Sequence, residues 1–149
     1  MPRFETAHDF PFAVAPLFAF LLRPANRMAL ALPALHLQLL EGPEVLALGA
    51  RVRLSARRWG LSREMLSEVT VFEVDALIVE EQRTGPFRAW THTQRFAGLA
   101  EGRARLVDAI DYEPPGGMLG LILSAAAIKR ELTASFAHRD RRLIELLGG

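Results

Sequence analysis

The chain contains no cysteine, which excludes disulfide staples, thiol nucleophiles and thiolate metal sites. Only one of its 18 basic residues, Lys129, is a lysine, and its formal net charge is +1. That balance offers no clustered basic face, so no nucleic-acid partner is expected. Apolar runs long enough to span a membrane, about 20 residues, are also missing. The stretch Phe10 to Leu22 is broken by Pro11 and Pro16 and follows Glu5 and Asp9, the wrong flank for a secretory signal. Met118 to Ile128 is uncharged but covers only 11 residues. A soluble, cytoplasmic protein without a membrane span is the expectation.

Several chemical motifs are absent as well. His8, His36, His92 and His138 form no pair at metal-ligand spacing, so neither a metal nor a cofactor is expected. There is no Gly-x-Ser-x-Gly elbow and no His-Glu-x-x-His zinc motif. Gly116, Gly117 and Gly120 follow two prolines and lack the Lys and Ser or Thr of a phosphate loop, and more simply start a helix.

What is present is enough for one globular domain, residues 1–149. Half of the chain is hydrophobic and 23% is charged, so it can enclose a core and leave a cavity. Arg3 to Phe10 alternates Phe4, Thr6, His8 and Phe10 against polar or small neighbours, the pattern of a half-buried strand. Ala13 to Leu22 and Ala25 to Leu32 read as two short helices, divided at Pro24 and stopped by Pro33. Strands are expected over 35–41, 50–59, 64–74, 77–83, 88–97 and 103–112, separated by turns at Gly42-Pro43, Gly49, Gly60, Gly85-Pro86, Gly98 and Gly102.

One long helix, about 117–147, closes the chain. Leu121, Ala125, Ile128, Leu132, Phe136, Leu143 and Leu146 recur at three- and four-residue steps and share a face. Arg139 falls on that face too. It either pairs with a strand carboxylate, snorkels to solvent, or meets the anionic part of a ligand. The first half of the helix is apolar almost all round, so a ligand, the short helices or a second copy in a weak homodimer must cover it.

Residues 82–120 carry the chemistry. Polar side chains stand on the otherwise apolar face of two strands: Trp90, His92, Gln94 and Phe96 on one, Leu106, Asp108, Ile110 and Tyr112 on the next. A turn centred on Ala100 would set Trp90 opposite Ile110, His92 opposite Asp108 and Gln94 opposite Leu106. Tyr112 would add a hydroxyl at the pocket mouth, and Glu80 joins the group in one register of the Gly85-Pro86 turn. A histidine and a carboxylate so placed serve as a satisfied structural pair, a ligand anchor, or a general acid and base. The expected wall of the pocket is Phe72, Trp90, His92, Phe96, Leu106, Asp108, Ile110, Tyr112, Leu121, Ile128 and Leu132, mostly apolar with a few polar groups, as small-molecule sites are.

The text of this region resembles a known group. Gly85-Pro86-Phe87-Arg88-Ala89-Trp90-Thr91-His92, Asp108-x-Ile110-x-Tyr112-x-x-Pro115-x-Gly117-x-Leu119-Gly120 and Phe136-x-x-Arg139 are similar to signatures of a bacterial branch of the START-like, or SRPBCC, superfamily. The resemblance implies an α+β helix-grip fold: a curved antiparallel sheet of six to seven strands wrapped around a long C-terminal helix, with two short helices after the first strand. It also implies a deep hydrophobic cavity. The function expected from residues and resemblance together is binding or carriage of a small hydrophobic ligand such as a lipid, polyketide or quinone. The alternative is a polyketide cyclase or dehydratase-like enzyme in which His92 and Asp108 transfer a proton and Tyr112 assists.

Overall fold

Alternation in the first strand and a proline at its end produce β1, Arg3–Phe10, with Phe4 and Phe10 buried and Arg3, Glu5, Ala7 and Asp9 exposed. The computed structural model describes residues 1–58 and 61–148. After Pro11 come α1, Val14–Leu21, and α2, Pro24–Met28. Pro16 is tolerated in the first turn of α1, where no intrahelical donor is lost, and Pro24 occupies the same kind of position in α2. Leu17, Phe18 and Leu21 bury the inner side of α1.

The segment expected as a strand from Leu35 is shorter. Pro33–Leu35 forms a 3-10 turn, and His36, at φ 45°, reverses the chain before β2, Gln38–Glu41. A proline that starts a helical turn and a left-handed residue that ends it delay the extended backbone. The remaining strands are β3 (Arg51–Arg58), β4 (Leu61–Glu73), β5 (Leu77–Thr84), β6 (Ala89–Leu99) and β7 (Arg103–Glu113). Trp59 and Gly60, assigned from the sequence to the end of β3 and its turn, lie outside the described residues.

All seven strands form one antiparallel sheet in the order β1-β7-β6-β5-β4-β3-β2. Two register shifts between β4 and β5, one leaving Arg83 of β5 extra and one leaving Thr70 of β4 extra, bend the sheet. The concave side holds two apolar clusters. One gathers Phe10, Leu17, Phe18, Leu21, Ile78, Phe96, Leu106 and Leu143; the other gathers Phe4, Ile110, Tyr112, Ile128, Leu132 and Phe136.

The C-terminal segment is two helices rather than one. Gly117, at φ 64°, turns the chain out of β7 into α3, Gly117–Ile122. Leu123 and Ser124 are not helical, and α4 runs from Ala125 to Leu147. Ser124 restarts the helix: its Oγ accepts a hydrogen bond from the Ala127 N–H at 3.2 Å, satisfying an amide that has no carbonyl partner in the first turn. Ser124→Ala is expected to cost about 1 kcal/mol of stability, measured by urea denaturation; no change would mean that packing, not the cap, sets this boundary.

The break changes which residues face inward. Ile128, Leu132, Phe136, Arg139, Asp140 and Leu143 are buried along α4. Leu121, Ala125 and Leu146, expected on the same stripe, are exposed, Leu121 by 84%. Leu121 belongs to a helix with its own axis, Ala125 stands at the start of α4, and by Leu146 the face has rotated toward Leu143 and Leu147.

Candidate functional site

β6 and β7 pair with Trp90 opposite Tyr112, His92 opposite Ile110, Gln94 opposite Asp108 and Phe96 opposite Leu106. The register expected from a turn centred on Ala100 is thus displaced by two residues. The loop is Ala100–Gly102, with Glu101 at φ 63° and Gly102 at φ 68°, so the turn is centred one residue later. A shift of two preserves the face of every side chain. His92 therefore still reaches Asp108, now on the diagonal: Nε2 lies 2.8 Å from Oδ1.

Asp108 has no exposed surface, and it is a point of convergence. The Gln94 amide donates to Oδ1 at 3.2 Å, and the Arg139 guanidinium donates to Oδ2 at 2.7 Å. Of the roles open to Arg139, the structure selects pairing with a strand carboxylate. Arg139 also donates to Asp140 at 3.0 and 2.8 Å and lies over the Phe136 ring, 4.5 Å from its centre. His8 Nδ1 stands 3.7 Å from the other oxygen of Asp140.

Burial alone would raise the Asp108 pKa, but the Arg139 charge and the hydrogen bonds from His92 and Arg139 outweigh it and hold the carboxyl well below the usual carboxylate range. For Arg139, burial works against the charge, and Asp108 and Asp140 override it, so the pKa is raised. Asp108 is therefore ionised, accepts only, and has the His92 Nε2–H as one of its donors. A carboxylate more acidic in the folded than in the unfolded chain stabilises the fold above the unfolded value, about pH 4, and loses that contribution as pH falls toward the folded value. The stability difference between wild type and Asp108→Asn should hold constant from about pH 7 to 5 and shrink below about pH 4; a difference unchanged at pH 3 would contradict the assignment.

Beside this cluster are two chambers whose walls share Leu35 and Ser135, an inner one that carries His92 and Arg139 and an outer one walled by Trp90. The outer chamber, about 290 Å³, is walled by Trp90, Ile128, Leu132, Phe87, Leu119 and Leu123, with Arg63 and Glu131 among its few polar neighbours. The inner chamber, about 210 Å³, is bounded by Leu21, Leu30, Leu32 and Phe136 and carries Arg27, His92, Gln94 and Arg139. Gln82 fixes the turn at the outer mouth: its amide donates to the Phe87 carbonyl at 2.7 Å and its oxygen accepts from the Phe87 N–H at 3.4 Å. Residues of both apolar clusters line the inner chamber, so the space opens where the clusters part.

Of the residues expected in the wall, Trp90, Ile128 and Leu132 line the outer chamber and His92 the inner one. Asp108 stands behind His92, Gln94 and Arg139. Ile110 and Tyr112 pack under the outer chamber, while Phe96 and Leu106 sit in the first apolar cluster and Phe72 packs against it. Leu121 points to solvent. The Tyr112 hydroxyl is not at a mouth: Tyr112 is buried and donates to the Ala125 carbonyl at 3.3 Å, and burial raises its pKa.

Most of the lining residues, Gln94, Phe87 and Arg27 among them, were not among the expected wall residues. Gln94 shares its strand face with His92, a signal that was available. Phe87 follows the Gly85-Pro86 turn. Arg27, on α2, reaches Glu80 on β5 through Nη1 and the Leu21 carbonyl at 2.7 Å through Nε. Glu80 is the register partner of His92, which places it near the expected group, but its carboxylate is engaged by Arg27. Among the described residues, no three His, Cys, Asp or Glu side chains converge as metal ligands would, and no helix is long and apolar enough to cross a membrane.

Similar architectures are found across solved structures. A protein from Arthrobacter aurescens superposes with a TM-score of 0.75 at 13% identity, covering 96% of this chain and 86% of that one. Ara h 8.0201 gives a TM-score of 0.67 at 14% identity over 97% and 98% of the two chains. The major latex-like protein 151 of Panax ginseng gives 0.64 at 11% identity over 95% and 96%. The fold is the helix grip. At these identities the likeness extends to the fold alone. No protein-family model matches the chain, and no curated protein matches it in sequence. The helix grip here is a seven-stranded sheet curved around α4, with α1 and α2 after the first strand.

Proposed function

We propose that this helix-grip protein is a soluble, cytoplasmic carrier or binding protein for a small hydrophobic molecule held between the sheet and α4. The observation that carries this reading is the outer chamber, whose walls are aromatic and aliphatic side chains from β6, α3, α4 and the Phe87 turn. Each 100 Å² of ligand apolar surface removed from water there contributes about 2.5 kcal/mol. The polar groups of the inner chamber orient the ligand by its other end.

The arrangement around Asp108 supports binding over proton transfer. A carboxylate held ionised, without exposed surface and engaged by His92, Gln94 and Arg139, positions the imidazole and is not itself poised to take a proton from a substrate.

Native mass spectrometry of freshly purified protein, followed by denaturation and mass analysis of released small molecules, tests the proposal. A defined apolar adduct is expected. A clean apo mass, together with no saturable displacement of an environment-sensitive apolar dye by extracted lipids, would overturn it.

A further inference from the structure

Each arginine on the wall of the inner chamber has a carboxylate partner within the protein. Arg27 faces Glu80, and Arg139 faces Asp108 and Asp140. An ionic ligand would therefore bring an uncompensated charge into a site whose own charges are already paired.

Two buried polar atoms on this wall have no partner among the described residues. Gln94 is 4% exposed and spends its amide N–H on Asp108, yet its Oε1 is buried and accepts no hydrogen bond among the described residues. The orientation of this amide is fixed by its neighbour, because an ionised Asp108 can only accept. Arg27 spends Nε and Nη1 on Leu21 and Glu80, and its buried Nη2 has no acceptor among the described residues. Both side chains line the same chamber. Buried polar atoms are seldom left unpaired, so an acceptor and a donor waiting together mark what the occupant supplies.

We propose that the inner chamber receives a hydroxyl group, the neutral polar end of an otherwise apolar ligand whose body fills the outer chamber. The O–H donates to Gln94 Oε1 while the hydroxyl oxygen accepts from Arg27 Nη2–H, so one small group satisfies both atoms. A ketone satisfies Arg27 and leaves Gln94 Oε1 unmet. A carboxylate does the same and adds a charge. A hydrocarbon satisfies neither. This assignment rests on the carrier reading above and narrows its ligand class to alcohols and phenols.

The test is a matched series titrated into the wild-type protein by dye displacement at pH 8: decanol, methyl octyl ketone, decanoate, decanamide and decane. One hydrogen bond separates alcohol from ketone and is worth about two- to tenfold in affinity, so decanol should bind at least about twofold tighter than the ketone and tightest of the series. Gln94→Met should erase the preference for decanol over the ketone, read as the ratio of the two affinities within the variant; should that variant fail to fold, the wild-type series decides alone. Equal binding of alcohol, ketone and hydrocarbon would overturn the hydroxyl assignment and leave the apolar carrier reading intact. Tightest binding by decanoate or decanamide would also overturn it. No binding by any member would overturn both.

Discussion

Asp108→Ala is expected to destabilise the protein by about 3–5 kcal/mol, because it leaves a buried Arg139 without one of its carboxylates and strands the donors of His92 and Gln94. For a chain of this size the loss corresponds to a fall in Tm on the order of 10 °C. Asp108→Asn, which keeps an acceptor but not the charge, should fall between wild type and Ala. The double replacement Asp108→Leu with Arg139→Met should cost less than the sum of the single ones, since it removes both charges together. Urea denaturation of the five variants, the two single replacements included, measures all of this. A loss below about 1 kcal/mol for Asp108→Ala would mean that the cluster is solvated and does not hold α4 to β7.

Ser135→Trp should abolish ligand binding and leave the fold standing. Ser135 borders both chambers, so an indole there takes volume from each. Affinity for an apolar dye is expected to fall at least about tenfold, which is 1.4 kcal/mol, while the change in stability stays within the about 1–3 kcal/mol that an oversized interior residue costs. Thr133→Trp, on the exposed side of the same helix, is the control and should bind as wild type does. Equal affinity in the Ser135 variant would show that the bound molecule does not occupy the space beside Ser135.

Much of the fold could be read from particular residues. Alternation marks β1 to the residue, and the Gly and Pro positions separate the other strands, because period-two burial and turn chemistry are local properties. Pairing was less legible. The turn after β6 uses a left-handed Glu101 beside Gly102, and a symmetric reading about Ala100 misses by two residues. The facing set survived the slip only because side-chain direction in a strand repeats every two residues.

The C-terminal segment shows the other limit. Its apolar residues run through the break at Leu123 and Ser124, so hydrophobic periodicity does not mark it; a serine before three alanines was the one local signal of a new helix start. Leu121 was placed inward on that false continuity. Arg139 was legible as an inward-facing charge because the stripe has a fixed period, but its acceptor lies 31 residues away. Arg27 carried no signal at all: it is one arginine among many, and its bond to Glu80 spans 53 positions.

The uneven fastening of the C-terminal segment separates two rates. The second half of α4 is riveted by Arg139 to Asp108 and by Leu143 in the first apolar cluster. α3, cut off by the break, turns Met118 and Leu121 to solvent while Leu119 and the linking Leu123 roof the outer chamber. Lifting that roof disturbs few buried contacts, so it is a local event of low free energy, whereas freeing the rivet approaches global unfolding. Under the proposed carrier reading, residence time of a guest would follow α3 and lifetime of the native chain Arg139, so that each could change under selection without dragging the other along.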